Sequence, residues 1–148
     1  MRHLAAFLLL ALAATIPLHA EVIRPAPAFT WLDAAGKPSN LAALRGRPVV
    51  LLLADSPRSW AFRSQVGQLQ KLYGRLAGEK LVCAAAFSAE PGPIRSDIPF
   101  LPVPDGAATT AAYDIPSGFG IAIIGMDGNL DFIGSRVVPA QRILDIIG

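Results

Sequence analysis

The sequence predicts an α/β domain, a central mixed β-sheet covered by helices on both faces. Three observations lead there. Val49–Ala54 and Leu81–Phe87 are continuous apolar runs of strand length, as expected of strands covered on both faces. Between them lies a long segment with apolar residues at helical spacing. Near the end, two short apolar runs flank Met126-Asp127-Gly128-Asn129, a hairpin connection. A strand–helix–strand unit followed by a hairpin and a closing helix requires both parallel and antiparallel pairing.

The chain of 148 residues is long enough for one domain. Its hydrophobic fraction of 53% is concentrated at the N-terminus, where Arg2 and His3 precede the apolar run Leu4–Ile16. Pro17 breaks that run, and Leu18-His19-Ala20 places a small residue before a cut. Thirteen residues are too few to span a bilayer comfortably, so residues 1–20 are expected to be a secretory signal peptide. Residues 21–148 are then the exported domain, periplasmic or secreted. Cleavage leaves 148 − 20 = 128 residues with no histidine and one cysteine, Cys83. Its formal charge is 12 basic minus 11 acidic, or +1, which gives no reason to expect nucleic acid or an acidic membrane surface as partner.

Glu21–Ala28, with Pro25 and Pro27, reads as an extended lead-in, and Phe29–Leu32 as a short strand. Asp33–Lys37 is a turn at Gly36. Leu41–Leu44 reads as one helical turn with Ser39 or Asn40 as its cap. After the strand Val49–Ala54 comes the loop Asp55–Trp60. Asp55 or Ser56 is placed to cap the following helix, with Pro57 in its first turn. That helix is expected over 58–77. Phe62, Val66, Leu69, Leu72, Tyr73 and Leu76 form its apolar stripe, and Gly78 stops it. Gly67 is expected to let the helix approach the sheet closely. Ser88–Pro104 holds five prolines and reads as a loop tacked to the body by Phe100, Leu101 and Val103. A short helix over 107–113, strands at 121–124 and 130–133, and a helix over 141–147 complete the chain. Trp31 is expected in the core and Trp60 on a pocket wall.

Phe29-Thr-Trp-Leu-Asp33, Leu41-Ala-Ala-Leu-Arg-Gly-Arg-Pro-Val-Val50 and the later Gly120–Gly128 stretch resemble the redoxins, proteins of thioredoxin-like fold that include peroxidases and exported thiol-disulfide proteins. The second half is also similar to an uncharacterised peroxiredoxin-like domain of exported bacterial proteins, found in sushi-repeat extracellular proteins. The resemblance implies reactive cysteines after the strand ending at Ala54. Ser56, Pro57, Arg58, Ser59 and Trp60 occupy that slot instead. It also implies a cis-proline just before the first hairpin strand, where this chain has Gly120, with Pro116 four residues upstream.

Disulfide exchange and peroxide reduction need a thiolate, and serine forms no redox pair. The candidate binding loop is therefore Asp55, Ser56, Arg58, Ser59 and Trp60, with Arg58 placed to attract an anion unless Asp55 pairs with it. Cys83 lies third in an apolar run and reads as a buried, inert thiol. No cofactor or metal site is read. Without histidine the usual zinc and Ser-His-Asp arrangements are absent. Asp127, Asn129 and Asp131 start like a calcium loop, but Phe132 and Val138 stand where glycine and glutamate are required. Gly118-Phe-Gly120 precedes a strand, so it is no dinucleotide fingerprint. The expected function is an exported, redox-inactive binding or accessory protein whose partner is a protein or a small anionic ligand. The alternative is an oxidoreductase or other enzyme acting through Cys83, or through carboxylates such as Asp55 and Asp114.

Overall fold

The computed structural model describes residues 24–76 and 80–148; the expected signal peptide, the cut before Glu21 and the helix stop at Gly78 lie outside them. The strands are β1 (Arg24–Pro25), β2 (Thr30–Leu32), β3 (Pro38–Asn40), β4 (Val49–Ala54), β5 (Val82–Phe87), β6 (Leu101–Pro102), β7 (Gly120–Ile124) and β8 (Asn129–Gly134). The helices are α1 (Trp60–Leu76), α2 (Gly106–Ala112) and α3 (Ala140–Ile147), with a 3-10 turn at Leu41–Leu44.

Six strands form one mixed sheet in the order β1-β8-β7-β4-β5-β6. β4 lies inside it, parallel to β5 and antiparallel to β7. All six of its residues are buried, because neighbours cover both its edges and layers cover both its faces. Side chains alternate across a strand, so Val50, Leu52 and Ala54 face one core and Val49, Leu51 and Leu53 the other. The first core is filled from α1 by Phe62, Val66 and Leu69 and from α3 by Ile143. Phe29, Leu41, Leu44, Val103 and Tyr113 fill the second. β5 opposes small residues to large ones on the face of the second core, Ala84 to Leu51 and Ala86 to Leu53.

Two short edge strands carry no periodic signal and were not expected. Arg24–Pro25 in the lead-in pairs with β8. Leu101–Pro102, inside the proline-rich segment, pairs with β5 at the sheet edge, where a proline breaks no ladder. The expected anchoring of that segment is present. Phe100 lies 6.2 Å from Phe62 by ring centroids, and Val103 is buried. Tyr113 is fully buried, and its hydroxyl donates to the Pro27 carbonyl at 2.8 Å, which ties the lead-in to α2. Trp31 is half-buried and packs against the edge of the second core, and its indole N–H is the one buried side-chain donor without an acceptor among the described residues.

α1 also holds α3 through amides. Gln65 is 0% exposed. Its Nε2 donates to the Val138 carbonyl at 2.9 Å, and its Oε1 accepts from the Val138 N–H at 2.7 Å. Gln68 Oε1 accepts from Ala140 N–H at 3.0 Å, satisfying an orphan donor at the start of α3. Leaving the Val138 groups unpaired would cost about 1–3 kcal/mol each.

Two glycines differ in what they do. A Cβ on Gly106 would fall 1.9 Å from the Phe87 carbonyl oxygen, so only glycine lets α2 start against the end of β5. Gly67 was expected to permit close helix–sheet approach, yet a Cβ there meets nothing within 4 Å. It faces away from the sheet, and the glycine costs α1 about 1 kcal/mol relative to alanine. Opposite effects are therefore expected in urea titrations. Gly106→Ala should lower the unfolding free energy by about 3 kcal/mol or more. Gly67→Ala should leave it unchanged or raise it by up to about 1 kcal/mol.

Candidate functional site

The site lies at the carboxyl end of β4. Asp55, the first polar residue after the buried strand, is fixed by four hydrogen bonds. Its carbonyl accepts from the N–H groups of Ala89 at 3.0 Å and Glu90 at 2.9 Å. Its Oδ1 accepts from Ser88 Oγ at 2.9 Å and from the Gly118 N–H at 3.1 Å. Asp55 thus joins the chain after β5 to the loop before β7. It does not cap α1, and Arg58 is not among its partners. Asp114, its expected fellow carboxylate, is exposed in a left-handed conformation (φ 60) and is not a hydrogen-bond partner of Asp55.

Ser56–Ser59 is a β-turn. The Ser59 N–H donates to the Ser56 carbonyl at 3.2 Å, and Pro57 takes the second position, which it favours. Ser56 Oγ accepts from the Arg58 N–H at 3.1 Å, and Ser59 Oγ from the Ser56 N–H at 3.4 Å. This turn delays the helix from the expected Arg58 to Trp60. Ser59 takes the cap position, because its carbonyl accepts the first helical bond, from Arg63 N–H at 3.0 Å. The delay turns Trp60 outward. It is 72% exposed and does not line the groove beside the turn, where a pocket-wall residue was expected.

Beside the turn, a groove of about 480 Å³ runs between α1 and the segment Glu90–Arg95. Phe62 and Val66 belong to its floor, Ile94 and prolines 57, 91 and 93 to its walls, and Arg58, Arg63 and Arg95 to its rim with Glu90. Of the candidate loop, Ser56 and Arg58 line it, whereas Asp55, Ser59 and Trp60 do not. Arg63 and Arg95 escaped the sequence reading because they lie far apart in the chain and read as ordinary solvated charges. Gly67 lines the groove too, which accounts for the empty space over it.

Cys83 is buried on β5, opposite Val50 and facing α1. Burial pushes its thiol up to about 12. Burial also pushes the Tyr113 phenol upward, offset in part by the nearby Arg24 charge. Among the described residues no group of three or more metal-ligating side chains is present. The carboxylate of Asp127 accepts from Asn129 N–H at 3.0 Å and Asn129 Nδ2 at 3.1 Å within the hairpin turn. No cis peptide bond occurs among the described residues, and Phe119 precedes β7 directly.

Two expectations follow. Removing the Asp55 carboxylate in Asp55→Ala should cost about 1.5–3 kcal/mol, the range for a charged acceptor, and should speed hydrogen exchange at the Gly118 amide more than at amides within β4. Cys83 should make stability fall at alkaline pH. Its native pKa exceeds the unfolded value of about 8.5, so the folded chain keeps a proton that the unfolded chain releases. The contribution is intact below about pH 8.5 and is lost as pH rises towards 12, with a slope of at most about 1.4 kcal/mol per pH unit. Unfolding titrations of the native protein and Cys83→Ala between about pH 8 and 9.5, below the range where Tyr113 contributes most, should show a steeper fall in the former.

No protein-family model matches the chain, and no curated protein matches its sequence. Solved structures do match its fold. A thiol:disulfide interchange protein from Bacteroides sp. superposes with a TM-score of 0.65 at 15% identity, covering 83% of this chain and 87% of its own. Peroxidoxin BcpB from Mycobacterium tuberculosis gives 0.61 at 16% identity, with 86% and 93% covered. A secreted disulfide oxidoreductase of the same organism, described as homologous to Escherichia coli DsbE, gives 0.61 at 15%, with 80% and 92% covered. The chain therefore has a thioredoxin-like fold whose structural neighbours are redoxins, and its single cysteine is buried in β5 rather than placed in the loop after β4.

Proposed function

We propose that this is an exported, redox-inactive thioredoxin-like protein of the bacterial envelope, a binding or accessory module in place of a thiol-disulfide enzyme. The observation that carries the reading is the position of the only cysteine. Thiol chemistry in a redoxin needs an accessible thiolate at the loop after β4. That loop is Asp55-Ser-Pro-Arg-Ser-Trp60, and Cys83 is a buried, protonated thiol on a neighbouring strand. The framework around the slot supports the reading, since β4, β5 and β7 form the centre of the sheet and the chain superposes on a thiol:disulfide interchange protein. A rigid scaffold with a turn and an adjacent groove supports binding without supplying a nucleophile.

The carboxylate route to an enzyme would have to use Asp55, whose carboxylate is engaged by Ser88 and Gly118, and Asp114, which is not among its hydrogen-bond partners. Export rests on the positive, apolar and small-residue pattern of residues 1–20. The secreted status of one structural neighbour agrees with it.

The test is a pair of assays on the chain recovered from the periplasm or medium. Its mass should correspond to a start at Glu21. It should neither accelerate reduction of insulin disulfides by dithiothreitol nor consume hydrogen peroxide above a protein-free blank. Turnover that disappears in Cys83→Ser would overturn redox inactivity, and residues 1–20 retained in the membrane fraction would overturn export.

A further inference from the structure

The groove beside α1 combines three properties. It is apolar below, with Phe62, Val66 and Ile94. It is cationic at the rim, where Arg58, Arg63 and Arg95 outnumber the single carboxylate of Glu90. Among the described residues, none of these three guanidinium groups has a hydrogen-bond or ion-pair partner. Surface arginines without partners are ordinary singly. Three around one apolar trough place positive potential over a space that water fills poorly.

Two contacts hold the proline-rich segment in place beside the groove. Pro57 meets Gly92 so closely that a Cβ on the glycine would lie 3.1 Å from the proline ring. Gln70 Nε2 donates to Ser96 Oγ at 3.4 Å, tying the segment back to α1. Arg63, Gly67 and Gln70 follow one another along the same face of the helix, a span of about 10 Å at helical rise. Gly67 sits in the middle of that span, and the absence of its side chain is what leaves the space above it open.

We propose that this groove binds a small amphipathic carboxylate, with its apolar body over Gly67 and its head group on the arginine rim. The inference rests on the reading of the protein as a binding module. Guanidinium groups take a carboxylate by paired N–H donors, and the apolar floor takes the chain. A volume of about 480 Å³ suits one small molecule.

The experiment is isothermal titration of the chain 21–148 with octanoate, octanol, acetate and octyltrimethylammonium. Octanoate should bind at one saturable site, at least tenfold more tightly than octanol or the cationic amphiphile, and acetate should give no measurable binding. Gly67→Leu fills the space with a good helix former where nothing within 4 Å obstructs a Cβ. It should weaken octanoate at least tenfold while the thermal midpoint stays equal or rises. The triple variant Arg58→Gln, Arg63→Gln, Arg95→Gln should bind octanoate no better than octanol. Equal binding of octanol and octanoate by the native chain, unchanged octanoate binding in Gly67→Leu, or no octanoate binding at all would each overturn the proposal. The insulin and peroxide assays on the same preparation separate the two readings. Turnover there defeats the binding-module reading, whereas failure with octanoate and no turnover defeats only the ligand assignment.

Discussion

The structure turns on the end of β4. Six apolar residues run through the middle of the sheet with both faces and both edges occupied, so no polar side chain can be placed before the strand emerges. Asp55 is the first point of emergence. Its carbonyl extends the parallel ladder into Ala89 and Glu90, and its carboxylate reaches Ser88 and Gly118. The residues following β5 and those preceding β7 are thereby fixed relative to β4 by one side chain and its backbone. The proline-rich segment starts from this junction, so the near wall of the groove is set by the same four bonds.

The slot after β4 holds no cysteine and is structurally complete. Ser56 and Ser59 close their own turn, with the Ser56 carbonyl and both hydroxyl groups accepting local N–H groups. A turn satisfied by its own serines has little left with which to react or bind. The usable surface moves sideways to the groove between α1 and the segment 90–95, where cations and an apolar floor come together. The groove and the loop after β4 are therefore neighbours that share only Ser56, Pro57 and Arg58.

Much of the fold was legible because burial on two faces leaves a continuous apolar run and burial on one leaves a helical stripe. That logic located β4 to the residue and β5, β7, α1 and α3 to within two. It failed for β1 and β6, whose two-residue pairings have no period, and for Gln65, a polar residue whose burial depends on a backbone 73 positions away. The buried thiol was legible from its neighbours in the strand. The groove was not, because Arg58, Arg63 and Arg95 meet only through the path of the proline-rich segment. Trp60 was misread for a local reason: the Ser-Pro turn uses two residues that helix propensity alone would give to α1.

These facts separate what the fold needs from what the site does. The core under the sheet is supplied by β4, β5, β7, α1 and α3, and the loop Ser56–Ser59 contributes nothing buried to it. Loss of the Asp55 carboxylate, in contrast, would release two neighbouring loops at once. The side chains of the turn are therefore separable from the core, whereas Asp55 is part of what holds the surrounding geometry. The helix glycine at 67 runs the other way: α1 would be more stable with a side chain there, and the groove would be smaller. Stability and open space are in direct competition at that position, and the sequence carries the residue that favours space.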